Sequence, residues 1–379
     1  MKTKSLLFLF ILSIGCTSPS PSQMDEWLKN TPFFETQKIF EEERFPNLVV
    51  AKDGSIVATW GKENCVSRRS KDGGVTWEAP VSIDQGINGG GLTVDENSGN
   101  IFTFVEKDRH PPAPIVCYIS KDNGQSWQSH PILIQPDKKG NLPSMHMNEH
   151  GITLKKGPYK GRLIRASRYY SQANEHKYWP EHYSNAIYSD DGGKIWHTSD
   201  PFPALGTGEA AIVELDNGTL YFNSRRHLST EGLNPRVRYT AYSSDGGQTW
   251  SNLQLSEELP DGEQDRDYGL MAGLERIPID GHDLLIFSNI ESQKGRKNGT
   301  VWLSFDGGKS WPVKKLIDPM GFKYSSLTIG RKNTPSEGFI YLLYETGLND
   351  DIHAYNGAKI VRFNLSWLLE GKDINQYLL

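Results

Sequence analysis

The chain has 379 residues and a formal net charge of −5 at pH 7, enough for one large domain or two ordinary ones. It carries no basic run with interleaved aromatics, which argues against nucleic acid as a partner. Beyond the N-terminus no apolar run approaches bilayer-spanning length. The 10 Trp, 16 Tyr and 15 Phe, with 37 Gly and 21 Pro, point to strands joined by many turns.

The chain opens "MKTKSLLFLFILSIGC". Two lysines precede an apolar run, Leu6 to Ile14, and then Gly15 and Cys16. This reads as an export signal, too short to span a membrane and excluded from the fold. A small residue before Cys resembles the cleavage site of a bacterial lipoprotein, with Cys16 lipidated, although Ser13 stands where Leu is usual; ordinary signal cleavage is the alternative. The polar, Pro-rich "TSPSPSQ" that follows suits a tether. The expectation is an exported protein of a bacterial envelope, periplasmic or at the surface, touching the membrane only through a lipid anchor. Residues 1–22 are signal and tether and 33–379 are the folded domain. Cys65 and Cys117 leave open either a disulfide or two buried thiols. No spacing fits a metal site, and no cofactor is implied.

Next comes "SKDGGVTW" at 70–77. The pattern returns as "SKDNGQSW" at 120, "SDDGGKIW" at 189, "SSDGGQTW" at 243 and "SFDGGKSW" at 304. The intervals between Asp72, Asp122, Asp191, Asp245 and Asp306 are 50, 69, 54 and 61 residues. That variation suits propeller blades, each with its own loops, better than a solenoid. The strand-like runs "CVSRR", "IVCYI", "SNAIY", "RYTAY" and "GTVWL" precede the boxes. Asp-Gly-Gly between strands predicts a hairpin turn, in which the Asp and Ser/Thr side chains bond the turn's own backbone. The fold predicted is all-β, a propeller of about six four-stranded blades, one lacking a box. "KIVRFNLSWLLEG" predicts a last strand and a short helix. A site has one residue for each role, not five, so the boxes read as structural.

These repeats resemble the Asp boxes of sialidases, six-bladed propellers that remove terminal sialic acids, and further motifs follow in the family's order. "ERFPNLVVAKDG" at 43–54 resembles the Arg-x-Pro entry motif, which implies that Arg44 binds the substrate carboxylate. "GEAAIVELDNGTLYFNSR" at 208–225 similarly implies Glu209 as a base and Arg225 as a second carboxylate ligand. "KGRKNGTVWLSFDGGKSW" at 294–311 supplies Arg296 as the third. "KYSSL" at 323–327 resembles the stretch that carries the nucleophile, here Tyr324. "YLLYE" at 341–345 ends in Glu345, which would orient Arg44. The chemistry fits this set. A sialoside bears a carboxylate on its anomeric carbon, and arginine binds carboxylates through a planar two-bond fork. A carboxylate nucleophile would be repelled there; a neutral tyrosine activated by a base is not.

One part of the resemblance fails. The family's general acid is an Asp between the first Asp-Gly turn and the first box. Here that stretch, "ATWGKENCVSRRSKDGG", contains no Asp before the box, and Glu63 is its only carboxylate. The unusual "PSMHMNEHGITL" at 143–154 offers His146 and His150 as other proton donors; the plainer reading is an irregular loop bonded to its own backbone. His110, Asp267 and Tyr268 lie in irregular segments that would line the same mouth. The resemblance thus implies a retaining exo-glycosidase acting on sialylated or other acidic glycans. A polysaccharide lyase on the same propeller and a non-catalytic acidic-glycan-binding lipoprotein are the competing readings.

Overall fold

The computed structural model describes residues 23–28, 30–41, 44–108, 112–228, 236–265, 269–347 and 357–377. The export signal, Cys16, His110, Asp267 and Tyr268 lie outside them.

The apolar runs that precede the boxes fold as strands: Asn64–Ser70, Ile115–Ser120, Tyr183–Ser189, Val237–Ser243 and Lys297–Ser304. Each is the third strand of an antiparallel sheet, and six such sheets succeed one another around an axis. The fold is a six-bladed β-propeller. The innermost strands are Asn47–Val50, Thr93–Val94, Ile152–Thr153, Thr207–Glu214, Gly273–Ile277 and Ser325–Ile329. The third blade departs most from the pattern. Its inner strand, like that of the second blade, is cut to two residues, and Leu133–Gln135 adds a parallel strand at its outer edge.

The apolar core is divided among the blade interfaces. Side chains alternate across each strand, so one strand feeds two wedges. In the fourth blade Ile212 and Phe222 pack with Ile164 and Ala186 of the third, whereas Ala211, Val213 and Tyr221 pack with Leu285 and Trp302 of the fifth. Both faces are buried, which is why strands such as Leu220–Arg226 are buried throughout. Cys65 and Cys117 are buried in adjacent blades as free thiols, which closes the alternative left open above.

Each box turns the third strand into the fourth. Asp72 Oδ1 accepts from Ser70 Oγ (2.9 Å), Val75 N (3.1 Å) and Thr76 N (2.9 Å), and Oδ2 accepts from Thr76 Oγ1 (2.6 Å). Burial alone would raise the Asp72 carboxyl; these bonds outweigh it and hold it at about 2. The box also docks on the preceding blade. A Cβ on Gly74 would meet Tyr341 at 3.2 Å. Gly124 would meet Val57 at 2.7 Å, Gly193 Phe102 at 2.6 Å, Gly247 Ile164 at 2.1 Å and Gly308 Tyr221 at 2.8 Å. Every one of those neighbours lies on the second strand of the preceding blade. Positive φ and this close approach together require glycine.

The sixth blade has no box because no hairpin exists there. Its third strand, Ala358–Phe363, pairs with Phe34–Phe40 from the start of the domain, Phe363 opposite Phe34. This pairing closes the ring. The predicted final helix follows at Leu365–Leu369, with Asn364 Oδ1 capping Trp367 N at 2.9 Å. Antiparallel order places the boxes at one end of the blades and the starts of the inner strands at the other.

Candidate active site

That end of the blades brings the predicted residues together. Arg44 and Phe45 precede Asn47–Val50, Tyr324 precedes Ser325–Ile329, and Arg296 precedes Lys297–Ser304. Glu209 sits in Thr207–Glu214 where pairing slips between Thr207 and Ala210, a bulge that re-aims a side chain. Arg225 lies on the neighbouring strand Leu220–Arg226.

Tyr324 is the centre. Its hydroxyl donates to Glu209 Oε1 at 2.8 Å and accepts from Arg225 Nη1 at 2.9 Å. Arg225 also pairs with Glu209 Oε2. The guanidinium carbons of Arg44 and Arg296 lie 5.2 and 5.8 Å from the Tyr324 ring centroid. All three predicted arginines therefore converge on one phenol. Glu345 accepts from Arg44 Nε at 3.2 Å and from Phe45 N at 2.8 Å. It holds both the side chain and a backbone kink in which Phe45 has φ 68°, a conformation costly for a bulky residue.

The electrostatics set the protonation states. Burial would raise Glu209, but Arg225 and Arg168 outweigh it and hold the carboxylate at about 2. Burial and the adjacent Glu209 push the Tyr324 phenol up. The resting pair is therefore a neutral phenol bonded to a carboxylate.

The structure adds residues that carried no motif. Arg168 lies 3.4 Å from Glu209 Oε1 and bonds His227 Nδ1 at 2.6 Å. Glu263 accepts from Arg296 Nε at 3.3 Å. A ring wall runs from Phe45 through His146 and Tyr170 to His182, with centroids 5.3, 6.2 and 4.6 Å apart. In the sequence Arg168 and Tyr170 stand in "RASRYY" at 165–170, a stretch that matches none of the motifs above.

The three candidate proton donors separate. Glu63 sits on the turn beside Arg44, with Gly61 N bonding Arg44 O at 2.8 Å. Its side chain is 77% exposed and lies 3.9 Å from Lys62, so it faces solvent. His150 belongs to the other end of the axis. There it meets Glu275 at 3.0 Å and lines a cavity of about 480 Å³ with Arg276 and Arg331. Only His146 joins the site. Among the described residues no cluster of three or more His, Cys, Asp or Glu could hold a metal ion.

A family pattern described as a BNR repeat-like domain matches residues 120–341. The chain belongs to that family. This BNR repeat-like protein is 30% identical over 369 residues to a sialidase of Micromonospora viridifaciens, which covers 87% of this chain and 52% of the relative. It is 28% identical over 353 residues to a sialidase of Bacteroides fragilis, covering 80% of this chain and 60% of the other. The chain thus spans little more than half the length of these relatives. A solved intramolecular trans-sialidase from Ruminococcus gnavus, in complex with oseltamivir carboxylate, shares the fold. It has a TM-score of 0.65 and 18% identity, and covers 87% of this chain and 95% of that one.

Proposed function

We propose that this chain is a retaining exo-sialidase that releases terminal α-linked sialic acid, or a related acidic sugar, from glycans. The observation that carries the reading is the Tyr324–Glu209 hydrogen bond of 2.8 Å inside a ring of guanidiniums. The sialidase names of its relatives, and a carboxylate ligand in a neighbour of the same fold, support it.

The geometry fits the chemistry step by step. Arg44, Arg225 and Arg296 take the substrate carboxylate, which competes with Glu209 for Arg225. Sharing that guanidinium raises the basicity of Glu209. Tyr324 Oη then bonds the anomeric carbon as the glycosidic C–O bond breaks, the tyrosine proton passes to Glu209, and the departing oxygen takes a proton from a general acid. Water attacks the same carbon in the second step and gives one proton back to the conjugate base of that acid, while Tyr324 leaves and takes its proton from Glu209. Two displacements retain configuration. Glu345 keeps Arg44 aimed.

Residues 23–379 can be assayed on a fluorogenic sialoside, with NMR identifying the first anomer released. Release of the α-anomer, lost in Tyr324→Phe, is expected. A product absorbing in the ultraviolet through a new double bond would replace the reading with a lyase. Binding of acidic glycans without turnover would replace it with a lectin-like role.

The N-terminal sequence supports export and lipidation of Cys16, with 33–379 as the domain carried. Labelling with a fatty-acid analogue, lost in Cys16→Ser, checks this; unchanged labelling would sink it.

A further inference from the structure

The departing alcohol needs a proton, and the short turn at 61–63 presents no acid to the site, since Glu63 faces solvent. A buried pair beyond Phe45 is built to supply one. Glu106 ends the strand Ile101–Glu106 and is sealed from solvent. Its Oε1 is anchored by Ser144 Oγ at 2.5 Å and Met145 N at 2.7 Å. Its Oε2 is buried without a hydrogen-bond partner and lies 3.8 Å from His146 Nδ1, which is buried and equally unpartnered. Two orphaned polar atoms facing each other in a core are costly unless they share a proton or a ligand.

The ring of His146 is held in place. Its backbone N bonds Ser144 Oγ at 3.0 Å, and Met147 follows with φ 42°, a conformation that non-glycine residues rarely keep without cause. Phe45 contacts both His146 and Tyr324, with ring centroids 5.3 and 6.1 Å away. Nδ1 is sealed, while the His146 side chain as a whole keeps a small exposure.

We infer that His146 donates the proton to the leaving-group oxygen and that Glu106 replenishes it. This assignment rests on the sialidase reading. With the shared proton on Glu106 and pointed at Nδ1, the imidazole must carry its own hydrogen on Nε2. As the glycosidic bond breaks, the leaving oxygen takes the Nε2 proton and Nδ1 takes the Glu106 proton, leaving Glu106 a carboxylate. In the second step Nε2 takes a proton from the attacking water and Nδ1 returns one to Glu106, so atoms and charges balance. The protonation states agree. Burial raises Glu106 to about 7 against Ser144, Met145, Arg165 and Arg168. Burial and Arg168, with Arg44 and Arg225, lower His146 to about 3 against the pull of Glu209. Tyr170 completes the wall. The separation of 3.8 Å exceeds a formed hydrogen bond, and catalytic contacts often tighten only when substrate binds.

Proton donation matters most for a basic leaving group. The test compares kcat/KM on sialyllactose with that on 4-nitrophenyl sialoside, whose leaving group needs little help. His146→Ala should lose about a hundredfold or more on sialyllactose and under about tenfold on the nitrophenyl substrate. Glu106→Gln keeps an oxygen for Ser144 and Met145, so it guards against a misfolded alanine variant. It should show the same substrate split, and the alkaline limb of its sialyllactose pH profile should move. Glu63→Gln should match wild type on both. Equal losses on both substrates in Glu106→Gln, or the split appearing in Glu63→Gln instead, would overturn the assignment. Wild-type inactivity on both sialosides would instead remove the sialidase reading itself, and this assignment with it.

Discussion

At the box end Asp72 takes its bonds from Ser70, Val75 and Thr76, none more than four positions away in sequence. At the site end Glu345 takes its bonds from Arg44 and Phe45, separated from it by 301 and 300 positions, and Glu209 meets Tyr324 across 115. A local solution can be copied blade by blade, and it was, five times. A site gathered from many blades exists only once the ring has closed. The box end therefore reports the architecture and the site end the chemistry.

The comparison breaks if the site end does no chemistry. Tyr324→Phe removes only the hydroxyl that Glu209 and Arg225 hold, so the fold should survive. Its kcat on a fluorogenic sialoside should fall by more than about a thousandfold. Retained turnover with an unchanged circular dichroism spectrum would end Tyr324's role as nucleophile.

Next in size is Glu345→Ala. Arg44 loses its anchor and Phe45 N its acceptor, so the carboxylate ligand should bind more weakly. We expect roughly a ten- to hundredfold drop in kcat/KM, mostly through KM, and about 2 kcal/mol of stability lost in urea titration. A fall in kcat with KM unchanged would mean Glu345 acts in the transition state and not by holding Arg44.

The box end can be sharpened with two neighbouring glycines. Gly192 has φ 75° and open space around it, whereas Gly193 has φ 86° and Phe102 at 2.6 Å from a built Cβ. Gly192→Ala should cost about 1 kcal/mol, the price of left-handed backbone alone. Gly193→Ala should cost about 1–3 kcal/mol more, through overpacking against the second blade. Equal losses in urea midpoints would mean the boxes brace only their own hairpins and do not register one blade on the next.

The same contrast explains what the sequence could tell. Box spacing marked five blades, and the sixth lacked a box for a reason that sequence hides: its fourth strand, Phe34–Phe40, comes from the other end of the domain. Arg44, Glu209, Arg225, Arg296, Tyr324 and Glu345 were legible because each sits in an ordered motif. Arg168 and Glu106 were not, because a lone charged residue in a strand looks like any other until its partners arrive from elsewhere in the ring, and Glu263, in the loop after Ser251–Pro260, meets Arg296 only across blades. Glu63 attracted notice by its place in sequence, yet a three-residue turn leaves it in solvent. His146 and His150 lie four positions apart and face opposite ends of the axis, because the irregular segment between them runs past the inner strands of the first and second blades. Asn148 O accepts there from both Gly91 N and Asn47 Nδ2.

The smallest effect separates the two ends by the sign of their response to pH. Asp72 is depressed in the fold to about 2, and the other four box aspartates are depressed as well. Their contribution is present above the ordinary carboxyl value, near about 4, and is lost as pH falls through the folded value. Glu106 is raised to about 7, so its contribution is whole below the ordinary value and is lost as pH climbs through about 7. Thermal melts of Asp72→Asn and Glu106→Gln beside wild type isolate the two. The Asp72→Asn deficit should shrink as pH falls from about 4 to about 2, because acid removes from wild type what the variant already lacks. Relative to wild type, Glu106→Gln should gain between about pH 4 and pH 7, where only wild type has a buried proton to lose. A Glu106→Gln difference that stayed flat across that range would place an ordinary carboxylate at 106. It would leave His146 with no proton to draw on, so this melt also tests the proton donor without any substrate.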